Sequence, residues 1–321
     1  MLRKEIEISI IILNYNTTDH LKKLLNSVVK YLNINNYEII VADNNSNDKS
    51  ILNLNKEFNF IKFISIPENI GFASGNNYAV KYSTAKYLLF INPDIELVDN
   101  SLEKLPGIYS REENAGIISG LLINKNNTVQ YCFNDFPDLS WEFFLMIGKG
   151  YNRKIKKLTH RKEISQNINF DVDWFHGAFL FMEKNIYDKI GGFNENYFMY
   201  YEDVELCYKV KKKLKKRIIC VPAIRVNHIT KSSIKANNTD DLYYFHINRG
   251  KLIFFENYNY FHSFILKSIF LFSIVIRLAG LPFWSKFKGM RKNKYDQLVK
   301  ILGIFFSKRK LYSSKYEYIS K

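Results

Sequence analysis

The sequence predicts an α/β protein with a mixed, mostly parallel sheet flanked by helices. Over about the first 120 residues, apolar runs of strand length alternate with segments whose apolar residues recur at helical spacing. Strand–helix–strand alternation of this kind builds right-handed βαβ units with parallel strands. The composition of the 321 residues, 47% hydrophobic and 24% charged, is that of a globular chain that buries a full core in one large domain or two.

Strands and helices alternate up to Pro93. The predicted strands are Glu7–Leu13, Glu38–Ala42, Phe60–Ile66 and Tyr87–Ile91, and the predicted helices are Asp19–Tyr31, Asp48–Glu57 and Phe72–Ser83. Pro93 ends the fourth strand because proline has no N–H to donate to a sheet. Asp94 is therefore expected at the carboxyl edge of the sheet, where open α/β proteins bind ligands.

Shorter elements follow Asp94. We predict helices at Asp99–Arg111, Lys184–Ile190 and Asp203–Lys213, and strand character at Ala115–Ile123, Thr128–Phe133, Phe170–Met182 and Arg217–Val221. From Asp240 onward the pattern is helical. Its most apolar part, Phe261–Trp284, has a longest uncharged run of nine residues, Ser268–Ile276, whereas a bilayer span needs ~20. This disfavours a transmembrane helix and leaves interfacial insertion and a core helix pair as equal alternatives.

The net charge of +16 is unevenly distributed. Residues 1–203 hold 22 Lys and Arg against 25 Asp and Glu, whereas residues 204–321 hold 25 against 6. A C-terminal third with a net charge of +19 indicates an anionic partner, unless it is simply a solvated basic face. The sequence has no recognisable nucleic-acid-reading motif, so we expect an anionic membrane surface and no nucleic acid.

The cysteines and the N-terminus favour a cytoplasmic protein. Cys132, Cys207 and Cys220 are odd in number and far apart, which makes a disulfide framework improbable and favours a reducing compartment. The first residues place acids where a signal peptide has its apolar region, so we expect no secretory signal.

Polar clusters follow the first four predicted strands. They are Asn14–Asn16, Asp43–Asp48, Asn69–Asn77 and Asn92–Asp94. Each cluster alone also fits an ordinary loop or helix cap, but four at one sheet edge predict a continuous polar pocket. A carboxylate such as Asp43 suits a ribose or base, the glycines after Asn69 allow close approach of an anion, and Asp94 suits a cation beside a diphosphate.

The second half adds candidate catalytic residues. Glu202 and Asp203 begin a predicted helix, where acids either stabilise the helix dipole or act as a general base toward an acceptor hydroxyl. His228 ends a strand; a lone histidine is usually structural, but here a role as metal ligand is equally weighted.

These motifs resemble a known family. The stretches SIIILNYN, EIIVADNNSND, NIGFASGNN, LLFINPD, FHGAFLFM, IGGFNENYFMYYEDVELC and VPAIRVNH, within residues 7–230, resemble the inverting glycosyltransferase family 2 and most closely its rhamnosyltransferase-like branch. The segment YYFHINRGKLIFF resembles the helical appendix of that branch. The resemblance implies the Rossmann-like GT-A fold. Residues 1–235 would form that domain, with a nucleotide-binding half (1–125) and an acceptor half (126–235), and residues 236–321 a basic helical region.

The resemblance also implies roles for individual residues. Those implied for the nucleotide are Asn14, Asn16, Asp43, Asn69, Gly71, Gly75, Asn76 and Asn92. Asp94 and His228 would hold Mg²⁺ or Mn²⁺, Asp203 beside Glu202 would be the catalytic base, and His176, Gly177, Gly192 and Glu195 would lie at the donor-sugar and acceptor side. The donor would be a nucleoside-diphosphate sugar, with rhamnose favoured over other hexoses.

Two motif positions depart from the family. Asn92-Pro93-Asp94 retains one acid of the usual DxD, a form common in the rhamnosyltransferase-like branch, and Asn194 replaces the Asp of the usual Gly-Gly-Phe-Asp-Glu. The expected activity is transfer to a hydroxyl of a lipid-linked or surface glycan, by an enzyme peripheral to the inner face of the cell membrane. The rival hypothesis is a non-catalytic protein of the same fold that binds nucleotide sugars; homo-oligomerisation is left open.

Overall fold

The computed structural model describes residues 6–48, 51–140, 151–229, 240–258 and 260–280. The strands are β1 (Ile8–Asn14), β2 (Tyr37–Asp43), β3 (Lys62–Ser65), β4 (Tyr87–Ile91), β5 (Ile95–Leu97), β6 (Ala115–Ile123), β7 (Phe133–Asn134), β8 (Phe170–Asp171), β9 (Trp174–Phe175), β10 (Phe179–Glu183) and β11 (Arg217–His228). The α-helices are Thr18–Tyr31, Ile51–Glu57, Gly71–Val80, Leu105–Arg111, Tyr151–Thr159, Lys162–Ser165, Lys184–Lys189, Glu202–Tyr208, Asp240–Tyr258 and Tyr260–Gly280.

A mixed sheet organises the described residues. Nine strands join in the order β3-β2-β1-β4-β10-β6-β11-β5, with β8 also paired to β11. Strands β1 to β4 run parallel, as predicted, and β6 runs parallel to β11. Strand β10 is antiparallel to both β4 and β6, so it joins the two parallel parts. A separate two-stranded sheet pairs β7 with β9.

The central strands are apolar along their length because helices cover both faces. All nine residues of β6 and all five of β4 are buried. Parallel strands covered on both faces read as continuous apolar runs rather than alternating ones, which explains why β1 and β4 stand out in the sequence. The helix Thr18–Tyr31 buries Leu21, Leu24, Leu25 and Val28, most of the apolar stripe predicted for it. The three cysteines are free thiols, and all are buried.

The structure differs from the predicted elements where pairing depends on distant residues. The chain pairs again directly after Pro93, because β5 lies antiparallel to the end of β11. The predicted strand Phe170–Met182 is three short strands, β8, β9 and β10, in two sheets. The predicted strand Thr128–Phe133 shortens to β7 plus a bridge at Val129, and β11 continues to His228, beyond the predicted Val221.

The first C-terminal helix, Asp240–Tyr258, is packed against the region that contains Tyr197 and Val204. Its Leu252, Ile253 and Phe254 are buried in a second hydrophobic cluster together with Tyr197 and Val204. The next helix, Tyr260–Gly280, adds Leu266 to this cluster. Among the described helices, none has both the length and the hydropathy needed to cross a membrane. The predicted apolar segment continues to Trp284, beyond the described residues.

Candidate active site

The loops after β1 and β2 form one hydrogen-bonded unit around Asp43. Asn14 and Asp43 end neighbouring strands in register, and the buried Asn14 amide donates from Nδ2 to Asp43 Oδ1 at 2.8 Å. Ser46 donates to the same carboxylate from its hydroxyl (2.6 Å) and its backbone N–H (3.0 Å). Asn16, with φ of 54°, donates its N–H to Ser46 Oγ at 2.8 Å. Asn14 and Asn16 therefore fix the loop that presents Asp43.

The loop after β3 is tied to the same edge by Asn44. Its buried side chain donates to Asn69 Oδ1 at 2.8 Å, and Asn69 Oδ1 also accepts the N–H of Gly71 at 3.0 Å. Gly71 has φ of 86°, and a Cβ there would lie 2.5 Å from the carbonyl oxygen of Phe198. Only glycine fits this turn, because both the left-handed backbone and the close approach exclude a side chain.

Two residues predicted for the nucleotide, Gly75 and Asn76, have contacts within the fold. Gly75 lies against Leu13, where an added Cβ would come within 2.6 Å of Cδ1. Asn76 is buried and donates from Nδ2 to the carbonyl of Phe72, inside its own helix, at 2.9 Å. The Nδ2 group of Asn76 is therefore occupied by a bond inside its own helix.

Asn77, the last residue of the predicted polar cluster Asn69–Asn77, anchors the Gly192–Glu195 turn. Its Nδ2 donates to the Phe193 carbonyl (2.8 Å) and to Glu195 Oε1 (2.9 Å), and its Oδ1 accepts the hydroxyl of Tyr187 and the N–H of Phe193. Gly192 has φ of 68° and packs on Asn77 and Tyr187. Gly192 and Glu195 thus contact the helix after β3.

Asp94 and His228 meet at the carboxyl edge, as predicted. His228 Nε2 lies 3.4 Å from Asp94 Oδ1, and both side chains are largely buried. The other ring nitrogen, Nδ1, lies 2.7 Å from Gln130 Oε1. Gln130 Nε2 donates to the carbonyl of His228 and to Asn124 Oδ1, which fixes the amide orientation and assigns the imidazole proton to Nδ1. The second ring nitrogen of His228, Nε2, therefore faces the Asp94 carboxylate.

Asp203, the predicted base, is linked to the same edge of the sheet by hydrogen bonds to the backbone. Asp203 Oδ2 accepts the N–H of Gly177 and Oδ1 accepts the N–H of Val204, each at 2.8 Å. The next residue, Ala178, accepts the N–H of Asn92 at 3.0 Å, two residues before Asp94. Burial raises the pKa of Asp203 from 3.8 to about 6, and the two backbone N–H bonds limit the increase.

Glu202 lies in the interior rather than in the site. It is 4% exposed, and among the described residues its Oε2 has no hydrogen-bond partner. Burial, followed by the charge of Asp203, raises the Glu202 pKa well above its usual range. The preceding Tyr200 and Tyr201 have φ of 67° and 74°, a left-handed conformation that costs on the order of 1–3 kcal/mol per non-glycine residue. This turn directs Asp203 outward and Glu202 inward.

His176 belongs to an aromatic cluster beside Asp203. Its ring stacks on Trp174, with centroids 5.3 Å apart, and Tyr131 meets both rings edge to face. Burial, helped by the nearby His228, lowers the pKa of His176 to about 4. His176 is therefore a neutral, half-buried ring that lies near His228 and precedes the residue bonded to Asp203.

The profile of Glycosyl transferase family 2 matches residues 9–191, more than half of the chain. The chain belongs to this family.

Curated relatives within family 2 carry related names. The chain is 28% identical over 211 residues to the low-salt glycan biosynthesis hexosyltransferase Agl10 of Haloferax volcanii, covering 64% of this chain and 62% of that protein. It is 29% identical over 228 residues to rhamnosyltransferase WbbL of Escherichia coli, covering 68% and 82%. An N-acetylglucosaminyl-diphospho-decaprenol L-rhamnosyltransferase of Mycobacterium tuberculosis is 22% identical, covering 61% and 68%. The match thus spans less than two thirds of Agl10.

Solved structures confirm the predicted GT-A fold of this family 2 chain. Staphylococcus aureus TarS 1-349 matches with a TM-score of 0.51 at 16% identity, covering 93% of this chain and 80% of that one. GalNAc-T7, solved with UDP, GalNAc and Mn²⁺, matches with a TM-score of 0.54 at 16% identity, covering 70% and 44%. At this identity the likeness shows the fold alone.

The donor set fits a divalent cation held partly by substrate. Within the described ranges, there is no cluster of three or more His, Cys, Asp or Glu side chains that could hold a metal ion. Asp94 and His228 nevertheless place a carboxylate oxygen and an imidazole nitrogen 3.4 Å apart. Mg²⁺-type sites commonly take one or two protein ligands plus substrate phosphates, which is the number of ligands that this pair supplies.

Sequence reasoning missed the residues that hold the family 2 site in place. Asn44 and Ser46 lay in the DNNSND cluster but were not singled out, and Asn77 lay in NIGFASGNN. Gln130 carried no signal, because its partner His228 is 98 residues away. These are positioning contacts, which a motif does not encode.

Proposed function

We propose that the protein is an inverting glycosyltransferase. It would move a hexose, with rhamnose the first candidate, from a nucleoside-diphosphate donor to a hydroxyl of a lipid-linked or surface glycan. The observation that carries this proposal is the short backbone link between Asp203 and the turn that contains Asp94. Segment 176–178 bonds Asp203 through Gly177 and Asn92 through Ala178, beside the Asp94–His228 pair.

In this proposal Asp203 acts as general base. Each of its oxygens accepts one backbone N–H, which fixes the carboxylate and leaves lone pairs for the proton of an acceptor hydroxyl. A base with a pKa of about 6 is ionised at neutral pH yet is a stronger proton acceptor than an ordinary Asp. The hydroxyl then attacks the anomeric carbon opposite the leaving diphosphate, which inverts the configuration.

On the donor side, Asp43 and Asn69 would contact the nucleoside. Asp43 is held by Asn14 and Ser46, and Asn69 and Gly71 form the turn that opens the helix Gly71–Val80. Asp94 and His228 would hold Mg²⁺ or Mn²⁺ against the donor diphosphate. The cation, when bound, supplies positive charge that stabilises the leaving group.

The names of the relatives support the substrate classes. One names a diphospho-decaprenol-linked sugar as its acceptor, and two name rhamnosyl transfer. We extend these classes to this chain as a proposal and leave galactose, glucose and N-acetylhexosamine as competing donors.

The test is a donor panel. dTDP-rhamnose, UDP-glucose, UDP-galactose and UDP-N-acetylglucosamine are incubated with the full chain and Mg²⁺ or Mn²⁺, and released nucleoside diphosphate is measured. We expect one donor to be consumed faster than the rest, and Asp203→Asn to suppress its transfer. Binding of a donor without turnover of any, with or without candidate acceptors, would instead support the rival non-catalytic protein.

We also propose that residues 236–321 attach the enzyme to the inner face of the cell membrane. On the helix Tyr260–Gly280, Ser263 and Leu266 are buried, whereas Tyr260, Phe261, Phe264 and Phe272 are 64–82% exposed. Exposed aromatic residues beside a basic chain segment suit the interface of an anionic bilayer. A lipid-linked acceptor would require this location.

A further inference from the structure

Three aromatic rings form a half-buried surface, which we term the aromatic platform: Tyr131, Trp174 and His176. Trp174 and His176 are nearly parallel, at 14°, and Tyr131 stands almost perpendicular to both. The indole N–H of Trp174 donates to the Asp135 carbonyl at 2.9 Å, which fixes the ring plane. The platform is therefore rigid.

The platform faces away from the core of its own small sheet. Strand β9 alternates, so Phe175 points to one side and Trp174 and His176 to the other. Phe175 is 1% exposed and packs on Phe133, which is equally buried. Trp174 also packs against both hydrophobic clusters, but it stays partly exposed.

Both ends of the platform adjoin the proposed chemistry. Tyr131 follows Gln130, whose side chain bonds the ring and the carbonyl of His228. His176 precedes Gly177, whose N–H bonds Asp203. Along the chain, the platform therefore adjoins residues bonded to the proposed base and to a proposed cation ligand.

We propose that the aromatic platform binds a pyranose ring of the acceptor. The C–H bonds on one face of a pyranose are apolar and weakly positive, which complements the negative face of an aromatic ring. The nucleotide loops follow β1, β2 and β3, whereas β9 leads into β10 on the far side of β4. The platform is therefore on the opposite side of the Asn92–Asp94 turn from the nucleoside. This inference rests on the proposed function.

The probes are methyl glycosides of rhamnose, glucose and N-acetylglucosamine, with sorbitol as the open-chain control. Saturation-transfer NMR on the full chain should show transfer to the ring C–H protons of at least one glycoside and weaker transfer to sorbitol. Trp174→Ala should weaken the affinity about tenfold, the free energy expected of one aromatic contact. Phe60→Ala, which removes another exposed ring, should leave binding unchanged.

Added dTDP or UDP should leave the glycoside signal in place. Displacement by the nucleotide, equal binding to wild type and Trp174→Ala, or equal signals from sorbitol would each overturn the platform. Melting curves check folding, and if Trp174→Ala melts early, Trp174→Phe and Tyr131→Ala replace it. Nucleoside-diphosphate release without acceptor tests the proposed function separately. If release occurs and no glycoside binds, the proposal of acceptor binding is wrong and the proposed function stands.

Discussion

Asp203 combines a raised pKa with a fixed orientation, and in the proposed mechanism its ionisation sets the pH dependence of transfer. The carboxyl must be ionised to accept a proton, and its pKa is about 6. We therefore expect the rate to fall about tenfold per pH unit below 6 and to reach a plateau above 7. Asp203→Asn should reduce transfer by ~10²–10⁴-fold on the plateau above pH 7 and abolish this limb of the profile, so the difference from the wild type should shrink as pH falls.

The same shift predicts a stability effect with the opposite sign. A carboxyl whose folded pKa exceeds its unfolded value binds its proton more tightly in the folded state, so stability declines as pH rises from 3.8 to about 6. Above that range the wild type bears the full penalty, which Asp203→Asn avoids. Melting temperatures should favour Asp203→Asn more at pH 8 than at pH 4; an equal difference at both would contradict the burial argument.

Gln130 offers a test of the metal proposal that leaves both ligands intact. Gln130 orients His228 and keeps the Nδ1 proton in place. Gln130→Leu should raise the Mn²⁺ concentration needed for half-maximal turnover by ~10–100-fold, the usual cost of losing such a partner. Asn124→Ala, one bond further out, should have a smaller effect. Full activity of the wild type in chelator would remove the metal from the mechanism.

Predictability from sequence differs sharply among these residues. Asp94, His228 and Asp203 stand at element ends within recognisable motifs, and the fold brings all three to one edge. Glu202 and Asp203 are indistinguishable as a sequence pair. Their separation into buried and half-buried positions depends on the left-handed turn at Tyr200 and Tyr201, a conformation that sequence rules disfavour for tyrosine.

At the element scale, a buried carboxylate joins the helix Glu202–Tyr208 to the first C-terminal helix, Asp240–Tyr258. Glu205 is 2% exposed and accepts bonds from Asn194 Nδ2 (3.0 Å to each oxygen) and the Tyr258 hydroxyl (2.7 Å), with Lys209 Nζ at 3.3 Å. This network gives a reason for the departure from Gly-Gly-Phe-Asp-Glu, because an Asp at 194 would face another carboxylate.

We expect Asn194→Asp to destabilise the fold by about 1.5–3 kcal/mol, the scale of a lost hydrogen bond to a charged group. The matched double variant Asn194→Asp/Glu205→Gln restores one donor–acceptor pair and should recover most of the loss. Urea unfolding measures both, and additive losses in the double variant would contradict the coupling. Tyr258→Phe should be milder, because it removes one neutral donor and places no second carboxylate beside Glu205.

Element boundaries were predictable only where local sequence determines them. The buried strands β1, β2 and β4 and the helix Thr18–Tyr31 carry their own periodicity, so they were found. Strand β5 exists because the end of β11 lies alongside it, more than a hundred residues later in the chain. No local pattern encodes such a partner.

At the scale of the whole molecule, the exposed face of the helix Tyr260–Gly280 and the basic C-terminal third predict reversible membrane binding. Each Lys or Arg near an anionic surface contributes on the order of 1 kcal/mol. The full chain should sediment with anionic liposomes at low salt and be partly released at high salt. Failure to sediment at low salt would leave the two helices as a packing or dimerisation element.

The structure also decides where the chain should be shortened for this test. Ending it near Ile234 would remove Leu252, Ile253 and Phe254, which are buried in one cluster with Val204 of the helix Glu202–Tyr208. A chain ending at Tyr258 retains these contacts and the Glu205 bond, yet loses the exposed aromatic face. The full-length triple variant Phe261→Ser/Phe264→Ser/Phe272→Ser is the matched control and should reduce sedimentation without removing any basic residue.

The alkylation rates of the three buried thiols can report local unfolding of the protein. Cys132 follows Tyr131 of the platform, Cys207 lies on the helix Glu202–Tyr208 and Cys220 lies on β11. Burial raises the pKa of each thiol, to about 12 for Cys132. A thiol reagent needs a solvated thiolate, so alkylation proceeds only during local unfolding. Substrate that binds the closed site should slow alkylation of Cys132 and Cys207 more than that of Cys220, which would reveal occupancy before any product has been identified.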